Sequence, residues 1–123
     1  MPELMYLSIP SRMKHLGSEI EKFARDKGYA GWNPLKNLPY EDFEGNPDFG
    51  RARTIDLCCI MVEKFPVFGL FGISDGTMQE FNYALSANRQ IRVWKEKDAE
   101  WEKFYNYLIE EQRRKIDKAI SRQ

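Results

Sequence analysis

One histidine, His15, and two cysteines are the only imidazole and thiol groups in this 123-residue chain. The cysteines, Cys58 and Cys59, are adjacent, and there is no C-x-x-C spacing, so a zinc site would want ligands the chain lacks. Neighbouring residues on a helix point about 100° apart and rarely bridge, so two reduced thiols and a cytoplasmic location are expected. Net charge is missing too. The 19 basic and 19 acidic residues cancel, which leaves no global field toward nucleic acid or an anionic membrane. No apolar stretch approaches the roughly 18 residues of a membrane span, and "MPELMYLSIP" has no basic region leading into a long apolar run. There is no repeat, linker or low-complexity tract, so residues 1–123 read as one domain.

What is present is globular and alternating. Residues are 42% hydrophobic and 14% aromatic, and a chain of this size buries about two thirds of its unfolded surface, enough for a real core. "LMYLSI" (4–9) is a short, β-prone apolar run that Pro10 and Ser11 end, with Ser11 as a candidate helix cap. Leu16, Ile20, Phe23 and Ala24 follow at helical spacing, and Gly28 stops that helix. "YAGWNPL" predicts a second strand, and residues 36–50, rich in Pro, Gly, Asp and Asn, a long loop of the kind that serves as a functional lid. A second helix is expected from about Phe49 to Phe65, with Ile55, Cys59 and Val62 inward. "PVFGLFG" (66–72) reads as a strand buried on both faces, and "IRVWK" (91–95) as a fourth strand. Between them, 76–88 forms a helix with Met78, Phe81, Ala84 and Leu85 as its apolar stripe. A long charged helix closes the chain over about 98–121.

Such alternation predicts a three-layer α/β sandwich of the Rossmann or flavodoxin kind, with about four parallel strands in the order 2-1-3-4. Ligands of open parallel sheets bind beyond the carboxyl ends of the strands, where the strand order reverses. That is between the first and third strands, so the segments after Ile9 and after Phe71 should flank one crevice.

"FGISDGTMQEFNYAL" (71–85) lies on that crevice. Small residues at a strand-to-helix turn allow close approach of a ligand, and free amides with the helix dipole favour an anion. Ser74 or Asp75 can cap the helix, Gly76 permits approach and Thr77 offers a hydroxyl. A capped helix with no ligand would carry the same residues, and Asp75 opposes a phosphate unless its side chain turns into the cap. Glu80 is the sharper feature. It sits between Met78 and Phe81, at the border of the apolar stripe rather than on the open face where most helix glutamates lie.

"YLSIPSR", the aspartate Asp56 in the second helix, and "SDGTMQEFNYAL" together resemble the nucleoside 2-deoxyribosyltransferase family, which includes the deoxynucleoside-monophosphate N-glycosidases. The resemblance spans about residues 4–95 and is specific at "SDGTMQE"; the interval from Asp56 to Glu80 is 80 − 56 = 24 positions, within the family's range. It implies action on the N-glycosidic bond of a nucleoside or its 5′-monophosphate, through a covalent glycosyl-glutamate on Glu80. Tyr6 would orient Glu80, and Asp56 would assist the departing base. Ser74 resembles the phosphate-binding serine of the hydrolases, and Ser8, Ser11, Gly76 and Thr77 would complete the substrate site. No cofactor or metal is implied. The partners implied are a small nucleoside or nucleotide and a second copy of the chain, since the family completes its sites across subunits. Tyr105, Ile109, Ile116 and Ile120 on the last helix form a stripe that a homodimer would cover.

The first loop departs from the family pattern, carrying Ser8, Pro10 and Ser11 where glycine is usual. A related turn occurs in the cytokinin-activating phosphoribohydrolases, but their paired glycines and arginine motif are missing here. From the residues alone, Tyr6 is equally a strand-end core aromatic, and Asp56 equally a helix charge or a partner of Arg51 or Arg53. A binding protein for a nucleotide or nucleotide-derived signal, without turnover, is the alternative on the same fold. His15 reads as a surface residue, Trp32 as a buried aromatic or a base-stacking one, and "EEQRRKIDK" as a solvated helix face.

Overall fold

The computed structural model describes residues 2–37 and 50–123, with side chains from Thr54 onward in the second stretch. The chain runs β1 (Glu3–Ser8), a 3-10 turn (Ser11–Leu16), α1 (Gly17–Asp26), β2 (Tyr29–Trp32) and α2 (Pro34–Asn37). It continues α3 (Gly50–Lys64), β3 (Val67–Leu70), α4 (Asp75–Ser86), β4 (Gln90–Val93), a short 3-10 turn (Lys95–Lys97), α5 (Trp101–Tyr107) and α6 (Glu110–Arg122). All four strands are parallel, in the order β2-β1-β3-β4. This is the expected Rossmann-like sandwich. Most of the long loop read over 36–50 lies outside the described residues; Lys36 and Asn37 belong to α2.

Side-chain alternation along the strands divides the core in two. Met5, Leu7 and Val67 face one side, where Ile20 and Ala24 of α1 cover them. Tyr6, Phe68 and Leu70 face the other, under Val62 of α3, Phe81 of α4, Trp101 of α5 and Ile116 of α6. Both faces of β1 and β3 are buried, which is why those strands are continuous apolar runs. Tyr6 stacks on its neighbour Phe68, centroids 5.8 Å apart and planes 8° from parallel.

The two central strands end at the same level. Past their ladder the Phe71 amide still bonds the Ser8 carbonyl at 3.0 Å. Gly72 then lets the two turns touch: a Cβ there would meet Met13 Sδ and Pro10 Cγ at 2.7 Å. Any side chain at 72 would force the two loops apart at the point where the strand order reverses.

Three local expectations are corrected. Ser11 does not cap the first helix; Pro10 occupies the cap position of a 3-10 turn, with no side-chain cap bond, and Ser11 is exposed. Its rigid φ suits that place. The inward face of α3 is Thr54, Cys58 and Val62, spaced by four; Ile55 and Cys59 are only half-buried. Thr54 is the polar member that hides this stripe from a hydrophobicity reading. The closing helix is two helices: Leu108 and Ile109 are extended (ψ 151° and 154°) and separate α5 from α6. Gly28 ends α1 as expected, at φ 95°, where an L side chain is strained.

The last residue closes the sheet edge. The Gln123 side chain accepts from the Val93 amide at 2.7 Å and donates to the Val93 carbonyl at 2.8 Å, so it serves both backbone groups of Val93, at the end of β4. No helix among the described residues is long and apolar enough to cross a membrane.

Candidate functional site

A cavity of about 450 Å³ opens beyond the carboxyl ends of β1 and β3. The segments after β1 and after β3 supply opposite walls: Ile9, Pro10, Ser11 and Arg12 on one side, Ile73 to Thr77 on the other. Pro34 and Leu35 of α2, Thr54, Ile55 and Cys58 of α3, and Phe104, Tyr107 and Leu108 from the end of α5 complete its walls.

Glu80 is the acidic side chain at its floor. It lies on the second turn of α4, only 7% exposed, and still lines the cavity. Burial follows from its position beside Phe81, which packs against Phe68 of the sheet. Each carboxylate oxygen has its own donor: Tyr6 Oη donates to Oε2, and Ser8 Oγ donates to Oε1 at 2.7 Å. Tyr6 and Ser8 sit two apart on β1 and so share a face, directed at α4. Cys58, from α3, is a third group acting on Glu80. Burial, the largest influence, raises the proton affinity of Glu80 above the ordinary carboxylate level, and Tyr6, Ser8 and Cys58, in that order, oppose it.

The turn that opens α4 is a reciprocal cap. Ser74 Oγ accepts from the Thr77 amide at 3.1 Å, and Thr77 Oγ1 accepts from the Ser74 amide at 2.8 Å. The Thr77 hydroxyl proton goes to the Gly72 carbonyl at 2.8 Å. That bond ties the helix start to the end of the strand before it. The amides of Asp75 and Gly76, the first two of the helix, have no intrahelical acceptor, and both residues line the cavity.

Of the residues singled out in the sequence, Tyr6, Ser8 and Glu80 come together in one hydrogen-bonded group, and Ser11, Ser74, Gly76 and Thr77 line the cavity. Ser8 and Tyr6 are fully buried and reach the cavity only through Glu80. Asp56 is not brought in: it is exposed and lines no part of the cavity. The reason is helical geometry. Thr54 and Cys58 face inward, and a residue two positions from each points about 200° away.

Arg12 is the functional-looking residue that sequence reasoning passed over. Its guanidinium donates to the Ile73 carbonyl and to Asp98, both at 2.5 Å, and lies 3.9 Å over the Phe104 ring. It ends the quoted "YLSIPSR" stretch but was given no role there, because its acidic partner is 86 residues away.

Among the described residues, no group of three His, Cys, Asp or Glu side chains could hold a metal ion. No family model, curated protein or solved structure matches the chain.

Proposed function

We propose that the protein cleaves or exchanges the N-glycosidic bond of a nucleoside or nucleoside 5′-monophosphate, with Glu80 as nucleophile. The observation that carries this reading is a carboxylate at the cavity floor with a hydroxyl donor on each oxygen. Such donors fix the carboxylate plane, and each oxygen keeps a second lone pair for attack. Attack on the anomeric carbon forms the sugar–carboxylate bond as the carbon–nitrogen bond breaks, and the base leaves with the electron pair and takes up a proton. Water, or a second base, then displaces the carboxylate from the same carbon. In this reading Tyr6 and Ser8 hold Glu80 in position, and the amides of Asp75 and Gly76 with Ser11 address the sugar or its 5′ substituent.

The test is incubation with a panel of deoxynucleosides, ribonucleosides and their 5′-monophosphates, with free base measured by chromatography. Base release from at least one member is expected. Glu80→Ala should abolish it, a loss of on the order of 4 kcal/mol or more in barrier stabilisation, while circular dichroism stays native. Full activity in folded Glu80→Ala would remove Glu80 from the mechanism.

A second reading, nucleotide binding without turnover, is favoured by one observation: Asp56, the residue that would serve the departing base, is exposed and outside the cavity. A nucleoside or nucleotide that raises the melting temperature with no base released would support it.

A further inference from the structure

Glu80 receives two donors from one strand, and those two alone leave the carboxylate anchored on the sheet side only. The opposite side belongs to α3, which packs along α4. Cys58 is the α3 residue at that contact, 2% exposed and yet part of the cavity wall. Its neighbour Cys59 is half-buried, and burial together with the charges of Glu80 and Asp56 raises its thiol to about 11. Neither cysteine forms a disulfide. A thiol beside a carboxylate stays protonated, and a protonated thiol can donate.

We propose that Cys58 is a positioning residue for Glu80: its thiol donates from α3 to the carboxylate that Tyr6 and Ser8 hold from β1, fixing that carboxylate between helix and sheet. The proposal rests on the reading of Glu80 as the reacting group. It makes the seating of α3 part of the site's chemistry, since a shift of α3 removes one donor and leaves the carboxylate more readily protonated. Among the described residues, the titratable groups that act on Glu80 are Tyr6 on β1 and Cys58 on α3, and Cys59 feels its charge. Asp56 acts on Cys59 through charge alone, and Arg12, across the cavity, is engaged by Asp98.

The experiment is a carbon-detected NMR titration of the Glu80 side-chain carboxyl in the wild type, Cys58→Ala, Cys58→Ser and Cys59→Ala. Removing a weak donor should raise the Glu80 midpoint by about half a unit in Cys58→Ala. Serine, a better donor of nearly the same size, should restore the wild-type midpoint or lower it further. Cys59→Ala should leave it where it was. An unshifted midpoint in folded Cys58→Ala would overturn the proposal. So would a shift that serine fails to reverse, because that would report lost packing instead of a lost donor. The titration needs no turnover, so an absence of base release would count against the glycosidase reading and leave this result standing.

Discussion

Glu80 carries its charge where a charge is costly. Its proton affinity is raised in the folded state, chiefly by burial, so the unfolded chain ionises first as pH rises. Between the ordinary carboxylate value of 4.5 and the raised folded value, the native state holds more protons, and stability falls with pH. The stability linked to this group is fully present below 4.5 and is lost once pH has passed the folded value. Glu80→Gln should therefore melt higher than the wild type at neutral pH, with the gap closing near pH 4 in thermal scans at both pH values. A Glu80→Gln protein less stable at neutral pH would mean that the donors outweigh the burial. Activity should run the other way, since attack requires the ionised form: base release should decline on acidification earlier than for an ordinary carboxylate. Glu80 was legible in the sequence because a charge at the edge of an apolar stripe is conspicuous. Cys58 and Arg12 were not, because a cysteine in an apolar helix and one arginine among many look the same whether or not they meet a carboxylate across the fold.

Among the elements, α4 is the one whose start decides the site. The Ser74–Thr77 cap satisfies orphan amides there, and replacing a capping serine by alanine costs about 1 kcal/mol. Ser74→Ala should lower the melting temperature by about 3–5 °C in a domain of this length, measurable by calorimetry. If Ser74 also serves a phosphate, the same variant should narrow the difference in melting-temperature gain between a 5′-monophosphate and its nucleoside. Equal gains for the two ligands in the wild type would mean the turn is not a phosphate site. The four strands and α4 were readable because their apolar runs and turn residues agree with where the fold puts them. The break between α5 and α6 was not. It has no Pro or Gly; what holds it are side-chain bonds across the break, with Arg113 donating to the Leu108 carbonyl at 2.8 Å and Tyr105 Oη donating to Asp117 at 2.8 Å. That break also reassigns the stripe expected to want a partner. Ile116 is fully buried in the core, Tyr105 and Ile120 are half-buried, and Ile109 alone of the four is exposed.

On the scale of the whole molecule, Arg12 and Asp98 join chain segments that the sheet alone does not connect. Asp98 is 5% exposed, so removing its partner leaves a buried charge. Arg12→Met should destabilise by about 2–3 kcal/mol, less than for a fully buried pair because the Arg12 side chain is 23% exposed. The double variant with Asp98→Asn should recover part of that loss in chemical denaturation, since the orphaned charge is gone. A double variant no more stable than the single would show that the arginine acts through its packing on Phe104 instead. Overall topology was legible because alternation and handedness leave few arrangements. Contacts of this span were not, because no local pattern encodes them. Gln123 is another such contact, and it bears on how the protein behaves in a crowd. A parallel sheet ends in a row of backbone groups that another chain can recruit, and β4 is such a margin. At Val93 the amide and carbonyl are already taken by the Gln123 carboxamide, which stands in for the peptide group of a strand that is not there. A foreign chain extending the sheet past β4 must first evict it, so polymerisation from that side starts with two bonds to break.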